Sequence, residues 1–330
     1  MVGAVLTDAH GNILAEGCHH HAGGPHAEVE CLKNFTQVPA DSILFVTLEP
    51  CAHHGKTPPC AELLVAKGVR HVVIGTPDPN PLVAGKGIQI LQDGGLEVEL
   101  ECLEEECRQL NHVFNCHIQK QMPYIALKAG ITLDGKIAME SGESQWITGV
   151  EARAEGQQIR SQFQAILVGK RTLLLDNPRL DNRNLDAPRQ PFPIVLGQPE
   201  IHPELNFFQD PRQKYWLTVK GDGKEKSQLS EYGIELIQAD DLTGALKDLY
   251  GRGIASIMVE GGAQVNSSLL KLGLVDELIL FIAPRLIGQN KAPGFIGDFG
   301  LEKLSDTPSY HIVETRPCGT DLMIRLRKEY

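Results

Sequence analysis

The sequence predicts an α/β protein built as two successive units. Three observations carry this. Short apolar β-type runs alternate with helical segments along the chain. At 330 residues the chain is long enough for two ordinary domains. A polar-faced segment ending at Met122-Pro123 separates two such alternating stretches. In the first unit, residues 2–7 and 13–17 read as strands joined by the hairpin signal Asp8-Ala9-His10-Gly11-Asn12. A helix over 26–35, a strand over 43–48, a helix over 60–67 and a strand over 69–75 follow. A helix over 86–93, a strand over 96–100 and one closing helix over 103–120 complete it. The expected boundary puts residues 1–121 in the first unit and 122–330 in the second. The second unit opens on the β run Tyr124-Ile125-Ala126-Leu127-Lys128-Ala129-Gly130. It continues with a helix over 150–162 and strands over 165–168, 194–196, 215–219, 234–237 and 256–259. A helix after Gly261-Gly262, an apolar run over 278–283 and a C-terminal β pair end the chain. Residues 184–213, rich in Pro and polar side chains, are expected to form a surface excursion.

Composition narrows the function classes. Hydrophobic content of 42% and charged content of 22% suit a folded globular protein. No apolar run approaches the ~20 residues needed to cross a bilayer. The start has no basic stretch and no cleavage site, so no signal peptide is expected. Eight cysteines in this length are no disulfide framework, and reduced thiols in a cytoplasmic protein are expected. The formal net charge is −11, and no basic stripe is visible. A protein that grips a nucleic-acid backbone relies on such a stripe. The expected partner is therefore a small molecule, with no nucleic acid and no membrane, and the chain is expected to form a homo-oligomer.

The most chemically pointed pattern is His26-Ala27-Glu28, followed by Pro50-Cys51 and then Cys60. One imidazole and two thiols fit a catalytic zinc ion, which takes three protein ligands and keeps a position for water. The metal lowers that water's pKa from about 15.7 to about 7. Glu28 is the expected proton carrier, since zinc deaminases of nucleobases place a non-ligating Glu two residues after the His. The usual spacing is P-C-x-x-C, whereas Ala52 to Pro59 separate the cysteines here. Cys102, Cys107 and Cys116 fit no metal-site spacing and are expected to pack between helices. In the second unit, a strand runs into Glu260-Gly261-Gly262-Ala263-Gln264 and then a helix. Glycines there let backbone N–H groups approach a cofactor phosphate, although Gly-Gly alone is more often a plain turn.

Longer blocks carry a resemblance. Thr47-Leu48-Glu49-Pro50-Cys51-Ala52-His53-His54-Gly55-Lys56-Thr57-Pro58-Pro59-Cys60 and Asp78-Pro79-Asn80-Pro81-Leu82-Val83-Ala84-Gly85-Lys86-Gly87 lie in the first half. Leu133-Asp134-Gly135-Lys136-Ile137-Ala138, Ser144-Gln145-Trp146-Ile147-Thr148, Asp176-Asn177-Pro178-Arg179-Leu180 and Val259-Glu260-Gly261-Gly262 lie in the second. In this order they closely resemble the bifunctional deaminase–reductases of riboflavin biosynthesis. The resemblance implies a cytidine-deaminase-like three-layer domain followed by a dihydrofolate-reductase-like domain. It implies zinc-dependent deamination of 2,5-diamino-6-ribosylamino-4(3H)-pyrimidinone 5′-phosphate. NADPH-dependent reduction of the ribosyl side chain would then give 5-amino-6-ribitylamino-uracil phosphate.

Residue by residue, the resemblance places His19, Lys56 and Asn80 at the deaminase substrate, whereas His20 and His21 read as a solvated loop. It places Gly130, Trp146, Thr172, Asp176, Gly262, Ala263, Gln264, Val265, Asn266, Ser267 and Ser268 at NADPH. It places Ser144, Arg160, Leu180, Arg183 and Glu260 at the reductase substrate. Arg160 and Arg183 also make sense as phosphate partners, since guanidinium forms bidentate charge-assisted bonds. Arg160 as a solvated charge and Trp146 as plain core are the bland alternatives. Lys128 and Asp176 are the candidate polar helpers near the hydride. The absence of G-x-G-x-x-G gives a Rossmann dinucleotide fold no support.

Two departures accompany the resemblance. The family has a helix and an Asn ahead of the first strand, and this chain starts at Met1-Val2-Gly3, inside that motif. A chain as written is expected to reduce and to deaminate poorly. Gly197 stands where the family commonly has Asp. The competing readings are a reductase with an impaired deaminase, a single-function zinc deaminase of nucleosides or tRNA, and a regulatory protein that has lost both activities.

Overall fold

The computed structural model describes residues 2–19, 23–54, 58–80, 84–183, 189–221 and 223–328. The chain separates into two compact units, Met1–Lys120 and Gln121–Tyr330. The first holds β1 (Gly3–Thr7), β2 (Ile13–Cys18), α1 (Ala27–Leu32), β3 (Ile43–Val46) and α2 (Cys60–Ala66). β4 (His71–Ile74), α3 (Lys86–Asp93), β5 (Glu97–Leu100), α4 (Glu104–Leu110) and α5 (His112–Lys120) follow. The five strands form one sheet in the order β2-β1-β3-β4-β5. β1 is antiparallel to both neighbours, and β3, β4 and β5 are parallel. The expected hairpin forms because Asp8 closes its turn, accepting from the N–H groups of His10 and Asn12. Leu6, Leu44, Val72 and Ile74 of the sheet bury one face against Leu32, Leu64 and Leu91 of α1, α2 and α3. The closing helix expected over 103–120 is two helices, α4 and α5, meeting at the buried Asn111, a weak helix former. Cys107 of α4 packs against Gly75, where a Cβ would lie 2.3 Å from its sulfur.

The second unit holds β6 (Tyr124–Thr132), α6 (Val150–Arg160), β7 (Ala165–Gly169), α7 (Lys170–Asp176), β8 (Phe192–Leu196), α8 (Asn206–Gln209) and β9 (Lys214–Val219). α9 (Lys226–Glu231), β10 (Ile234–Ala239), α10 (Leu242–Gly251), β11 (Ser256–Val259), α11 (Ala263–Lys271), β12 (Glu277–Ala283), β13 (His311–Cys318) and β14 (Asp321–Arg327) complete it. One nine-stranded sheet runs β10-β9-β8-β7-β11-β6-β12-β14-β13. Strands β10 to β12 in that order are parallel, and the C-terminal pair is antiparallel. The buried strands are apolar on both faces because helices cover both. In β7, Leu167 points into a core with Leu217, Leu246 and Leu269, while Ile166 and Val168 point into another with Leu173 and Trp216. Such alternation is the period of two expected for a strand.

The expected surface excursion over 184–213 is corrected. Residues 184–188 lie outside the described residues, but the rest contains β8 and α8. Phe207 and Phe208 of α8 are buried against Trp216, Phe207 edge-on with ring centroids 5.8 Å apart and Phe208 tilted at 6.1 Å. Two aromatic side chains outweigh the polar composition around them, because each buries a large apolar area. Among the described residues no helix is long and apolar enough to cross a membrane.

Candidate active sites

In the first unit the site is assembled where α1, α2 and the end of β3 meet. Gly17 of β2 makes the approach of α1 possible. A Cβ there would lie 2.3 Å from both the Ala27 carbonyl and the Cys31 nitrogen. His26 is the N-cap of α1, and Glu28 lies in its first turn. Cys51 follows β3 after the turn Thr47-Leu48-Glu49-Pro50, and Cys60 is the first residue of α2. His26 Nδ1 stands 3.5 Å from Cys51 Sγ and 3.2 Å from Cys60 Sγ. The backbone N–H of Cys60 donates to Cys51 Sγ at 3.2 Å. The ligand atoms of all three residues lie within 4.8 Å of one another.

The electrostatics suit a metal. The Cys60 thiol donates to Cys51 and holds its pKa down to about 5, with the Cys60 N–H and His26 helping against burial. That bond and burial push the Cys60 thiol up, so the sulfurs share one proton. A divalent cation would replace that proton and stabilise both thiolates. Donors held at about 2.0–2.3 Å in a tetrahedron stand roughly 3.5 Å apart, close to the spacing found. The donor set therefore fits zinc. Glu28 is buried, and burial raises its pKa.

The other residues expected at the deaminase substrate divide. His19 packs edge-on against His26, with ring centroids 5.6 Å apart, and its Nδ1 pairs with the Pro25 carbonyl at 2.8 Å. Asn80 is half-buried, and its N–H donates to Asp78 Oδ1 at 2.8 Å. Lys56, His20 and His21 lie outside the described residues. His54 is exposed and pairs with Glu62 at 3.1 Å. Cys102, Cys107 and Cys116 gather no metal-ligating group among the described residues. His71, Glu97 and Glu99 do bring ligand atoms within 4.8 Å, but both carboxylates are exposed.

In the second unit a cavity of ≈ 470 Å³ opens at the carboxyl ends of β7, β8 and β11. There β11 lies between β6 and β7, so the connections leave in different directions, as at other α/β ligand crevices. Gly262 caps α11, and its Cα faces Thr172, since a Cβ would lie 3.7 Å from Thr172 Oγ1. Of the predicted residues, Ser144, Thr172, Asp176, Glu260, Gly262, Ala263, Gln264 and Val265 line this cavity. Burial raises the Asp176 pKa. Trp146 lines a neighbouring cavity of ≈ 310 Å³ together with Ser144, and it stacks on Arg153 at 4.4 Å. At 59% exposed, Trp146 is not core. Gly130 packs against Thr148, with room for a Cβ only 3.1 Å from its methyl group.

Other predicted residues stand back from the cavity. Asn266 is buried and donates to the Phe295 carbonyl, and Ser267 and Ser268 donate to carbonyls of their own helix. Leu180 is buried in the core with Trp216, and Arg183 is exposed beside Asp181 at 3.7 Å. Arg160 is neither a solvated charge nor a free phosphate partner. It forms a two-pronged pair with the Glu260 carboxylate and donates to the Asp181 carbonyl at 2.7 Å. Lys128 Nζ approaches Glu260 at 3.8 Å. Burial raises the Glu260 pKa, but Arg160 and Lys128 outweigh it and hold it down to about 2.

Sequence reasoning missed two features. Lys170 and Arg171 line the main cavity from the start of α7, directly after β7. A basic pair right after an all-apolar strand was the available signal. Glu49 is also buried, with a carboxylate turned inward, and its place beside Pro50-Cys51 was the hint.

Residues 123–324 match the RibD C-terminal domain family, and residues 1–76 match the cytidine and deoxycytidylate deaminase zinc-binding region. The riboflavin biosynthesis protein RibD of Bacillus amyloliquefaciens is 39% identical over 331 residues, covering 98% of this chain and 89% of the relative. The chain belongs to the RibD family. RibD of Escherichia coli (strain K12) is 40% identical over 98% of this chain and 92% of its own length. The structure of Acinetobacter baumannii RibD, form 1, superposes with a TM-score of 0.88 at 34% identity, covering 100% of this chain and 92% of that one. The deaminase/reductase of Thermotoga maritima gives 0.84 at 33% identity over 99% and 92%. The fold is thus α/β, with a cytidine-deaminase-like first domain and a dihydrofolate-reductase-like second. The enzyme is a deaminase and a reductase, with zinc and NADPH as cofactors. A reductase domain in the second half sets aside the single-function nucleoside or tRNA deaminase.

Proposed function

We propose that this chain deaminates 2,5-diamino-6-ribosylamino-4(3H)-pyrimidinone 5′-phosphate. It then reduces the ribosyl side chain of the product to ribityl, giving 5-amino-6-ribitylamino-uracil phosphate. The single observation that carries the first step is the group His26, Cys51 and Cys60 with buried Glu28 beside it. His26, Cys51 and Cys60 would hold zinc, which supplies the Lewis acidity that makes water nucleophilic at neutral pH. Glu28 takes a proton from the attacking water and delivers it to the ring and the departing ammonia. His19 and Asn80 contact the base or ribose, and Lys56, outside the described residues, is assigned the phosphate from sequence alone.

For the second step, NADPH when bound would supply the hydride. Gly262 and the first turn of α11 would hold a cofactor phosphate on backbone N–H groups. Thr172, Asp176 and Val265 line the same cavity. Gly130, Trp146, Asn266, Ser267 and Ser268 are assigned to the cofactor by the resemblance. Ser144 and Glu260 face the sugar, with Arg160 and Lys128 holding the Glu260 carboxylate charged and fixed. Leu180 and Arg183 complete the substrate assignment. Catalysis then rests on holding the nicotinamide and C1′ in near-attack geometry. We assign residues 1–121 to deamination and 122–330 to reduction, in a cytoplasmic homo-oligomer without nucleic-acid or membrane partners. The deciding experiment follows ammonia release and NADPH oxidation together on the diaminopyrimidine phosphate. Ammonia release should precede NADPH loss, and NADPH loss without prior ammonia release would overturn the order.

A further inference from the structure

We propose that Glu49 is a positioning residue for deamination, fixing the segments 78–80 and 84–88 against the turn that presents Cys51. The inference rests on the reading of Asn80 as a substrate contact. Glu49 is 5% exposed, and its carboxylate accepts four backbone N–H groups. Oε2 takes Asp78 and Gly85, both at 3.0 Å, and Oε1 takes Gly87 at 2.8 Å and Ile88 at 3.3 Å. Gly85 is the N-cap of α3 and has no side chain to cap it. Gly87 and Ile88 are the second and third helical residues, whose N–H groups a capping side chain normally satisfies. Glu49 performs that capping from 36 to 39 residues away.

The packing is equally specific. A Cβ on Gly87 would lie 2.0 Å from the Pro50 carbonyl. The start of α3 therefore rests directly on the residue before Cys51. Gly85 adopts φ 80°, a left-handed conformation that glycine enters freely. The N–H of Glu49 is itself tied to the Thr76 carbonyl at 2.9 Å, and Asp78 in turn accepts from Asn80. An unbroken run of bonds thus leads from the Glu49-Pro50-Cys51 turn to Asn80. The left-handed backbone at Gly85 disfavours a local Asp or Ser cap, which needs an extended N-cap, so the cap comes from a buried carboxylate whose burial is offset by its four hydrogen bonds. Placing the cap on Glu49 makes the loop's position depend on the same turn that delivers a metal ligand.

The test is deaminase kinetics on the full chain, with zinc content and reductase rate measured on the same samples. Glu49→Gln replaces one acceptor oxygen by a donor that faces N–H groups. It should raise the deaminase KM about tenfold while changing kcat less than about threefold. Zinc should stay near about one per chain. Amide exchange at Gly85, Gly87 and Ile88 should quicken. Glu49→Asp, which keeps the charge on a shorter arm, should fall between. Gly87→Ala should raise KM by pushing the same segment off Pro50, and it decides the matter if Glu49→Gln does not fold. An unchanged KM in zinc-loaded Glu49→Gln, or zinc loss with KM unchanged, overturns the proposal. Asn80→Ala separates the underlying reading. If it is silent while Glu49→Gln and Gly87→Ala raise KM, the Asn80 contact falls and the positioning role stands. If it raises KM while those two do not, the positioning role falls.

Discussion

The two units build their sites by different means. In the first, the reactive groups are side chains close in sequence: His26 and Glu28 share one helical turn, and Cys51 and Cys60 flank one loop. His26 Nδ1 comes within 3.2–3.5 Å of both sulfurs. In the second, the cavity gathers residues from the separate ends of β7, β8 and β11, and the ion pair at Glu260 joins residues 100 apart, Arg160 and Glu260. A metal centre needs particular donor atoms, so its signature survives in spacing. A dinucleotide crevice needs shape and N–H groups, which many sequences supply. The deaminase site should therefore fail sharply at single residues. The reductase site should fail gradually, except where a buried charge is involved.

Loss of the proton carrier or of the metal should give the largest effects. Glu28→Gln, which removes the proton carrier, should slow deamination by about 10²–10⁴-fold. Zinc content should hold, because the carboxylate is no ligand, and reduction of the deaminated substrate should be untouched. Cys51→Ser, or removal of zinc by a chelator, should abolish deamination and leave reduction intact. Metal analysis beside both rates checks this. Zinc loss in Glu28→Gln would break the separation of roles, and a reductase deficit in either variant would break the independence of the two sites.

Glu260 is where the reductase should behave like the deaminase. Glu260→Gln leaves Arg160 and Lys128 without their counter-charge, and unpairing a buried ion typically costs about 3–5 kcal/mol. Reduction should be lost and the second unit should melt earlier, while ammonia release by the intact first unit continues. The pH dependence has a definite sign. Because the folded pKa of about 2 lies below the ordinary 4.5, this pair's contribution is complete above pH 4.5. It is lost as pH falls from there through about 2. Thermal unfolding of the second unit followed between those limits should show wild type losing stability that Glu260→Gln never had. A parallel fall in both proteins would remove Glu260 as the cause.

What could be read in the sequence follows the same division. The hairpin at Asp8, the helix over 86–93 and the strand over 256–259 were legible because turn chemistry and apolar runs are local. So was the His26, Cys51 and Cys60 group. The role of residues 206–209 was not, because Phe207 and Phe208 are only two apolar residues in a polar stretch, and no local pattern shows that they fold back onto Trp216 of β9. Nor was the engagement of Arg160 by Glu260, since an isolated Arg on a helix carries no sign of its partner. Lys170 and Arg171 were missed for a related reason. Their place at the cavity depends on β7 lying beside β11, a pairing that strand order and not local pattern decides.

Arg212 offers the finest test of the contrast, with the smallest expected effect. Its guanidinium is anchored by the Asp210 carboxylate, with Nε 2.9 Å from Oδ1 and 3.0 Å from Oδ2. It donates to three backbone carbonyls, those of Arg179 at 3.1 Å, Leu180 at 3.3 Å and Pro191 at 2.7 Å. It thus ties down the backbone on both sides of the segment that carries Arg183. This mirrors Glu49 with the charges exchanged: there a carboxylate gathers N–H groups, here a guanidinium gathers carbonyls. The carbonyls differ in one respect, for they can turn to water when the guanidinium leaves, so less is stranded. Arg212→Ala should therefore cost about 1–3 kcal/mol of local stability, typical of lost charged hydrogen bonds. It should raise the reductase KM a few-fold with kcat and all deaminase parameters unchanged. Arg212→Lys should recover little, since an ammonium cannot span three carbonyls in one plane. Full recovery by Lys would mean that charge alone holds this loop, and the parallel with Glu49 would be lost.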